Sequence, residues 1–195
     1  MNKELKEWII SIVIAVVLVL VVRTFFFSQY QISGDSMAPT FENKERVIIN
    51  KMSTWTNQLH HGDIIVFHAN EEKDYIKRLI GLPGDKVEYK NDILYINGKA
   101  IKENYLISNK QLSGPNQLTE DFSVKMLANS GGSDVIPDGK FLVLGDNRAI
   151  SLDSRRQEVG LIDSKSVVGK VSLRFWPFSA FETKFFEEDF NEVNK

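Results

Sequence analysis

The most constraining feature of this chain is an apolar run near its start. Residues 8–22 are apolar apart from Ser11; Arg23 and Thr24 interrupt, and Phe25, Phe26 and Phe27 continue. Residues 8–27 number 20. As a helix rising about 1.5 Å per residue they span roughly 30 Å, the thickness of a bilayer's hydrocarbon core. A helix in a soluble core normally keeps a polar face, and this run has almost none. A cleaved secretory signal needs small residues at positions −3 and −1, and Ser28-Gln29-Tyr30-Gln31 offers no such pair. The run therefore reads as an uncleaved transmembrane anchor. Arg23 is expected to snorkel to the head groups at one end, with Trp8 and the Phe cluster at the two interfaces. Lys3 and Lys6 are offset by Glu4 and Glu7. Acids count little in the positive-inside rule, which favours a cytoplasmic N-terminus, while Arg23 weighs the other way.

The expected organisation follows from this. Residues 1–7 form a cytoplasmic N-terminus, 8–27 the anchor, 28–181 an extracytoplasmic domain, and 182–195 an acidic tail, solvated or briefly helical. The roughly 165 residues after the anchor suffice for one domain. Beyond Gln29, short apolar runs alternate with turn residues, a mainly β pattern of antiparallel strands. Strands are predicted over 46–50, 63–68, 75–80, 86–89, 93–96, 140–144 and 167–175. Lys90-Asn91-Asp92 and Asn97-Gly98 read as hairpin turns, the latter of type I′. Leu82-Pro83-Gly84-Asp85 reads as a further turn. Residues 103–136 are polar and rich in Ser, Gly and Asn, so a small loop-rich insertion is expected within about 87–139. The net charge of −2 gives no global pull toward nucleic acid. Cysteine is absent, which excludes disulfides, thiol nucleophiles and Cys-based metal sites.

Ser33-Gly34-Asp35-Ser36-Met37-Ala38-Pro39-Thr40 follows the anchor, with Ser36 nine residues beyond Phe27. Gly34 opens backbone angles closed to other residues, and Pro39 fixes φ. Such a segment can present a hydroxyl rigidly and aim backbone N–H groups at an oxyanion; it also suits a tight turn entering the domain. A serine nucleophile needs a base. His60 and His61 stand in a polar loop and His68 ends a predicted strand. A Ser-His-Asp triad through His68 stays open, and the histidine spacing is poor for a metal site. Lys77 is the better base. In Tyr75-Ile76-Lys77-Arg78-Leu79-Ile80, residues Tyr75, Lys77 and Leu79 share one strand face, which sets an amine among apolar neighbours. Desolvation lowers a lysine from about 10.4, and a working base needs about 7–8, a shift costing about 4 kcal/mol. The alternative for Lys77 is a solvated strand lysine; Arg78, on the opposite face, reads as structural. A third segment, Gly145-Asp146-Asn147-Arg148-Ala149-Ile150-Ser151-Leu152-Asp153-Ser154-Arg155, is dense in groups able to orient an amine (Ser151) or to form ion pairs (Asp146, Arg148, Asp153, Arg155).

Together, Ser-Met-x-Pro-Thr, Asp-Tyr-x-Lys-Arg and Gly-Asp-Asn-Arg-x-x-Ser-x-Asp-Ser-Arg resemble, in order, the motifs of the type I signal peptidases, membrane-anchored Ser-Lys endopeptidases of bacteria. Gly62-Asp63-Ile64-Ile65-Val66-Phe67 and Gly81-Leu82-Pro83-Gly84-Asp85 are lesser matches. The single span, small insertion and Phe175-Trp176-Pro177-Phe178 look like the compact Gram-positive form. The resemblance implies an antiparallel β catalytic domain of signal-peptidase type. It implies Ser36 as nucleophile and oxyanion donor through its backbone N–H, Lys77 as general base, and Ser151 positioning the amine. Asp146, Arg148, Asp153 and Arg155 become structural support. Tyr30, Ile32, Met37, Tyr75 and Ile76 fall near pockets for small substrate side chains at −3 and −1. It further implies signal peptides of exported preproteins as substrates, the lipid bilayer and the vicinity of the export channel as surroundings, and neither cofactor, metal nor nucleic acid. Phe175, Trp176 and Phe178 are expected at the membrane interface or in the core. This chain departs from the family at two places. Gly34 stands where some members carry a serine whose hydroxyl is a second oxyanion donor, and Ala149-Ile150 stands where Asp-Asn is frequent. Two rival readings are a self-cleaving repressor of related fold, which the anchor argues against, and an inactive membrane-anchored binding protein, which the intact Ser36, Lys77 and Ser151 argue against.

Overall fold

The computed structural model describes residues 3–56 and 58–194, with Lys3, Val22, Arg23 and Glu187 described for their backbone alone. The expected snorkelling of Arg23, the charge of Lys3, and residues 1–2 and 195 lie outside the described residues. Helix α1, Lys3–Phe26, is apolar on all sides and exposed along its described length. It is long and apolar enough to cross a membrane.

The helix stops one residue short of the expected end of the anchor. Phe27 opens strand β1, Phe27–Gln31, because its backbone pairs with Asn50 of β2, Arg46–Asn50. Then come helix α2, Met52–Trp55, and strands β3, Ile64–His68, and β4, Asp74–Gly81. Strands β5, Val87–Lys90, β6, Ile93–Ile96, and β7, Lys99–Ile101, lead to helix α3, Ile107–Ser113, and the short β8, Phe122–Ser123. Strands β9, Lys140–Leu144, β10, Ile162–Asp163, and β11, Val167–Trp176, complete the described order.

All pairings are antiparallel, in a seven-stranded sheet ordered β1-β2-β11-β3-β4-β9-β10 and a four-stranded sheet ordered β7-β6-β5-β8. Register shifts along β11 at Val167/Gly169, Val171/Leu173 and Arg174/Trp176 bend the large sheet. It curls into a half-barrel, far enough that Tyr30 on the edge strand β1 donates to Asp74 Oδ2 of β4 at 2.9 Å. Both expected hairpins form. Asn91 and Asp92 take φ of 50° and 63°, Asn97 and Gly98 take 52° and 80°, the paired positive angles of type I′ turns.

The small sheet gives the expected insertion more regular structure than its composition announced; loops and short helices fill it between β7 and β9. The acidic end of the chain corrects the solvated-tail expectation. Phe185 is buried in the cluster of Ile32, Met37, Phe41, Val47 and Val66, and Phe190 in that of Ile80, Tyr89 and Tyr105. Residues Glu187–Phe190 do form a turn of 3₁₀ helix, the short-helix alternative. Two aromatic anchors outweigh the local acidity, because burying each is worth about 1.5–3 kcal/mol.

Candidate active site

The serine loop leaves β1 and re-enters at β2. Its entry is pinned by Ile32 N–H on Glu45 C=O at 2.8 Å and Lys44 N–H on Ile32 C=O at 2.9 Å. Gly34 sits at φ +86°, a conformation other residues rarely adopt, and donates its N–H to Asn43 Oδ1 at 3.3 Å. The turn tightens as Ala38 N–H donates to Asp35 C=O and Phe41 N–H to Met37 C=O. Ser36 then presents its Oγ 2.7 Å from Lys77 Nζ, closing the sequence separation of 41 residues. The hydroxyl of Ser36 thus has its partner in the lysine. His68, the rival base, instead bonds Asp74 through Nδ1 at 2.6 Å.

Lys77 is 4% exposed, so it is not the solvated strand lysine that sequence left open. Its amine stands 5.4 Å from the Tyr75 ring centre. Burial pulls its pKa from 10.5 down to about 8, against the opposing charges of Asp153 and Asp146. Those carboxylates do not pair with it because each is committed elsewhere. Asp146 is forked by Arg78, Nε to Oδ1 at 2.9 Å and Nη2 to Oδ2 at 2.7 Å, and accepts Thr40 Oγ1 at 2.6 Å. Asp153 accepts Arg155 Nε at 2.9 Å, Arg155 Nη2 at 2.9 Å and Gly145 N–H at 3.0 Å. Burial alone would raise the Asp153 carboxyl, but Arg155 and the Gly145 N–H hold it below the usual range. The arrangement leaves roughly a tenth of the lysine neutral at pH 7, far more than an amine at 10.5 would offer, and about half of it at pH 8, as a general base requires.

Arg148 is fully enclosed. Nη2 donates to Glu103 Oε1 at 2.7 Å, Nη1 to Tyr89 OH at 2.6 Å, and Nε to the Gly145 C=O at 3.0 Å. Tyr89 also donates to Glu103. The four support residues therefore tie the loop after β9 to the small sheet and to β4.

Ser151 is brought to the same spot, but its expected bond to the Lys77 amine is not made. Its Oγ is buried and makes no hydrogen bond of good geometry, though it stands close enough to Asp153 to help hold that carboxyl down. A Cβ built on Gly145 would lie 2.1 Å from that Oγ and 2.5 Å from the Ser36 carbonyl oxygen. A buried hydroxyl without a well-aligned partner is uncommon and calls for an explanation, a catalytic role being one. The same carbonyl of Ser36 accepts the Asn147 N–H at 3.0 Å. The Ser36 N–H has no partner among the described residues, so it is free for an oxyanion. Gly34 contributes no side-chain donor.

A cleft of about 320 Å³ opens beside Ser36 and Lys77, lined among others by Tyr30, Ile32, Val66, Tyr75, Ile76 and Ile150. Of the expected pocket residues Met37 is the exception. It is 1% exposed, packed with Ile32 and Val66 in the core rather than lining the cleft. Burial and the Asp74 hydrogen bond push the Tyr30 hydroxyl up to about 12, so it remains a donor across the rim. Among the described residues no three His, Asp or Glu side chains converge as metal ligands would.

Sequence reasoning missed four contributors. Asn109 of α3 donates both to the Ala38 C=O at 2.9 Å and to the Asp146 C=O at 2.8 Å, with no local signal for it. Thr40 and Gly145 lie inside the quoted motifs, where their presence was the available signal. Phe185, from the far end of the chain, supplies a carbonyl to Arg78 Nη1 at 2.6 Å.

The family model described as "Signal peptidase, peptidase S26" matches residues 5–176. Signal peptidase IB of Staphylococcus aureus is 52% identical over 190 residues, 97% of this chain and 98% of that protein. Signal peptidase I of Bacillus caldolyticus is 46% identical over 172 residues, 88% of this chain and 92% of that one. The crystal structure of a signal peptidase I from Enterococcus faecalis V583 is 41% identical with a TM-score of 0.52, covering 57% of this chain and 95% of its own.

Proposed function

Since the chain belongs to the signal peptidase family, peptidase S26, whose work is the removal of signal peptides, we propose that it does so as a membrane-anchored Ser-Lys endopeptidase. The observation that carries the reading is the 2.7 Å contact between Ser36 Oγ and a buried Lys77 Nζ. Neutral Lys77 takes the Ser36 proton as Oγ attacks the scissile carbonyl. The Ser36 N–H stabilises the oxyanion, a single such donor being worth about 3–4 kcal/mol. The Lys77 ammonium then protonates the leaving amine, and the C–N bond breaks to leave an ester on Ser36. Lys77 next draws a proton from water, which hydrolyses the ester. Ser151, buried with no well-aligned hydrogen bond in the resting site, is read as the hydroxyl that steadies the amine during these transfers.

Two backbone edges receive the substrate. β1 is the edge strand of its sheet, and β9 joins β4 only from Arg78 onward, which leaves residues 74–77 unpaired on that side. An extended peptide between them gains main-chain hydrogen bonds, with alternate side chains, −1 and −3, on one face. That face meets Ile32, Val66 and Ile76 in the cleft, whose apolar lining suits small apolar side chains. α1 anchors the enzyme in the cell membrane as a single span, with the N-terminus cytoplasmic and the catalytic domain outside, near the export channel that delivers preproteins. Trp176 and Phe178, 45% and 75% exposed with rings 5.1 Å apart, suit the membrane interface.

Cleavage of a model preprotein by wild type, Ser36→Ala and Lys77→Ala tests the chemistry. Wild type should process it and both variants should fail; processing by Lys77→Ala at the wild-type rate refutes the dyad. Protease added to intact spheroplasts should digest the catalytic domain; its protection would refute the outward orientation.

A further inference from the structure

We infer that His61 and Asn194 form a proton-dependent clasp through which the C-terminal segment positions the catalytic serine loop. The inference rests on the peptidase reading for its kinetic part and on the fold alone for the clasp.

The orientation of Asn194 is fixed by a reciprocal pair. Its Nδ2 donates to the His61 C=O at 3.0 Å, and its Oδ1 accepts the His61 N–H at 3.0 Å. That same Oδ1 lies 2.8 Å from His61 Nδ1, while His61 Nε2 lies 2.6 Å from Asp85 Oδ2. Both ring nitrogens therefore face acceptors. A neutral imidazole carries one N–H and satisfies only one of them; the imidazolium satisfies both. Asp85 is held by the Leu82 N–H and by Asn97 Nδ2. The other charged groups nearby are Asp63 just before β3, which pairs with Lys170 of β11 and accepts the His60 N–H, and Lys99 of β7, which donates to the Glu192 C=O. Burial alone would lower the His61 imidazole, but its bonds to Asp85 and Asn194 and the charges of Asp85 and Asp63 leave it raised above 6.5. When the ring loses a proton, the remaining one is held at the carboxylate of Asp85. The Nδ1 lone pair then confronts Asn194 Oδ1, and the clasp gives way.

What the clasp holds reaches the site. Phe190 packs so closely on Gly62 that an added Cβ would lie 2.5 Å from its ring. The Gly62 and Phe185 carbonyls both accept from Arg78 Nη1, at 2.9 Å and 2.6 Å. Arg78 forks Asp146, whose neighbour Asn147 holds the Ser36 carbonyl, and whose Oδ2 holds Thr40 at the end of the serine loop. Loosening residues 185–194 thus removes an acceptor from Arg78 and slack enters the serine loop. His61 and Asn194 are positioning residues.

The sign of the pH effect follows. A folded pKa raised above 6.5 means that the His61 contribution is fully present below that value and is lost as pH rises through the folded one. The depressed Asp85 carboxyl contributes above 3.8 and its share is lost as pH falls through the folded value. Catalysis needs neutral Lys77, so kcat/KM rises with pH through about 8. The clasp needs charged His61, so an opposing limb, the alkaline one, falls with pH around the His61 midpoint, wherever above 6.5 that lies.

The test uses full-length protein in lipid or detergent. kcat/KM on a preprotein is measured against pH for wild type, Asn194→Asp and His61→Gln, and His61 ring ¹⁵N shifts are followed in the wild type. Asn194→Asp places a carboxylate at Nδ1 and should move the alkaline limb up by about one pH unit or more, with the Lys77 limb unmoved. His61→Gln cannot titrate and should lose the alkaline limb. His61 should titrate above 6.5 with both ring nitrogens protonated at lower pH. An alkaline limb identical in all three proteins overturns the positioning role, and a His61 midpoint at or below 6.5 overturns the clasp. If His61→Gln fails to fold, the Asn194→Asp shift still decides. If wild type cuts no preprotein, the peptidase reading falls while the ring ¹⁵N shifts decide the clasp on their own.

Discussion

Replacing Gly145 by alanine tests whether the Ser36 carbonyl and the Ser151 hydroxyl need to meet over bare backbone. The added Cβ would lie 2.1 Å from Ser151 Oγ and 2.5 Å from Ser36 O. Non-bonded heavy atoms settle near 3.5–4.0 Å, so both neighbours must retreat by roughly 1 Å. Ser36 O is tied to the Asn147 N–H, and neither it nor buried Ser151 is the free end of a flexible side chain. The strain therefore passes into the serine loop. Overpacking of this kind costs about 1–3 kcal/mol of stability. A misplacement of about 1 Å at the reacting group costs about 10²-fold in rate, or about 2.7 kcal/mol of activation energy. Purified Gly145→Ala should thus remain folded, with Tm lowered by about 2–4 °C for each kcal/mol lost. Its kcat on a preprotein should fall about 100-fold, far more than KM changes. A variant with the wild-type kcat would refute the claim that this glycine keeps the nucleophile in place.

Lys77→Met should abolish cleavage yet stabilise the fold. Holding an amine at about 8 instead of 10.5 costs the folded state about 3 kcal/mol. The gain should be full below pH 8 and vanish above pH 10.5, read from denaturant midpoints against pH. Ile76→Ala should enlarge the cleft and let substrates with Val or Leu at −1 or −3 be cut, measured by competition within a peptide library; unchanged selectivity would exclude Ile76 from the pocket. Phe190→Ala should destabilise by about 3–5 kcal/mol in urea unfolding, as for a core aromatic, whereas a solvated tail would give no change.

Strands announced by turn chemistry were legible in the sequence. The Lys90-Asn91-Asp92 and Asn97-Gly98 turns marked where β5 ends and where β6 begins and ends, because positive φ is written in residue type; β7, beyond the second turn, was not predicted. Ser36 and Lys77 were legible as a pair through strand alternation and motif. Features made by distant partners were not. β1 was not predicted: its first residue, Phe27, was assigned to the apolar run, and nothing local tells residues 27–31 that they will pair with β2. The burial of Phe185 and Phe190 was hidden by the acids around them, and Asn109 by a polar segment that looked like loop. Met37 was displaced from the cleft because its neighbours Ile32 and Val66 draw it into the core. The lack of a well-aligned bond at the Ser151 hydroxyl is likewise a product of three-dimensional crowding over Gly145.

The junction of helix and strand carries one more consequence. α1 ends at Phe26 and β1 begins at Phe27, without a linker residue. The joint is braced by the Lys51 N–H on the Phe26 carbonyl at 2.9 Å and by Trp55 edge-on to Phe26 at 6.1 Å. On the anchored reading the catalytic serine rides on a stiff strut of fixed length, not on a tether. The five residues of β1 set its reach, roughly 16 Å at strand rise. So anchored, the enzyme would work as a gauge: it would cut at a set height above the lipid, and among exposed sites with acceptable side chains it would select those whose spacing from their own membrane-embedded segment matches that height.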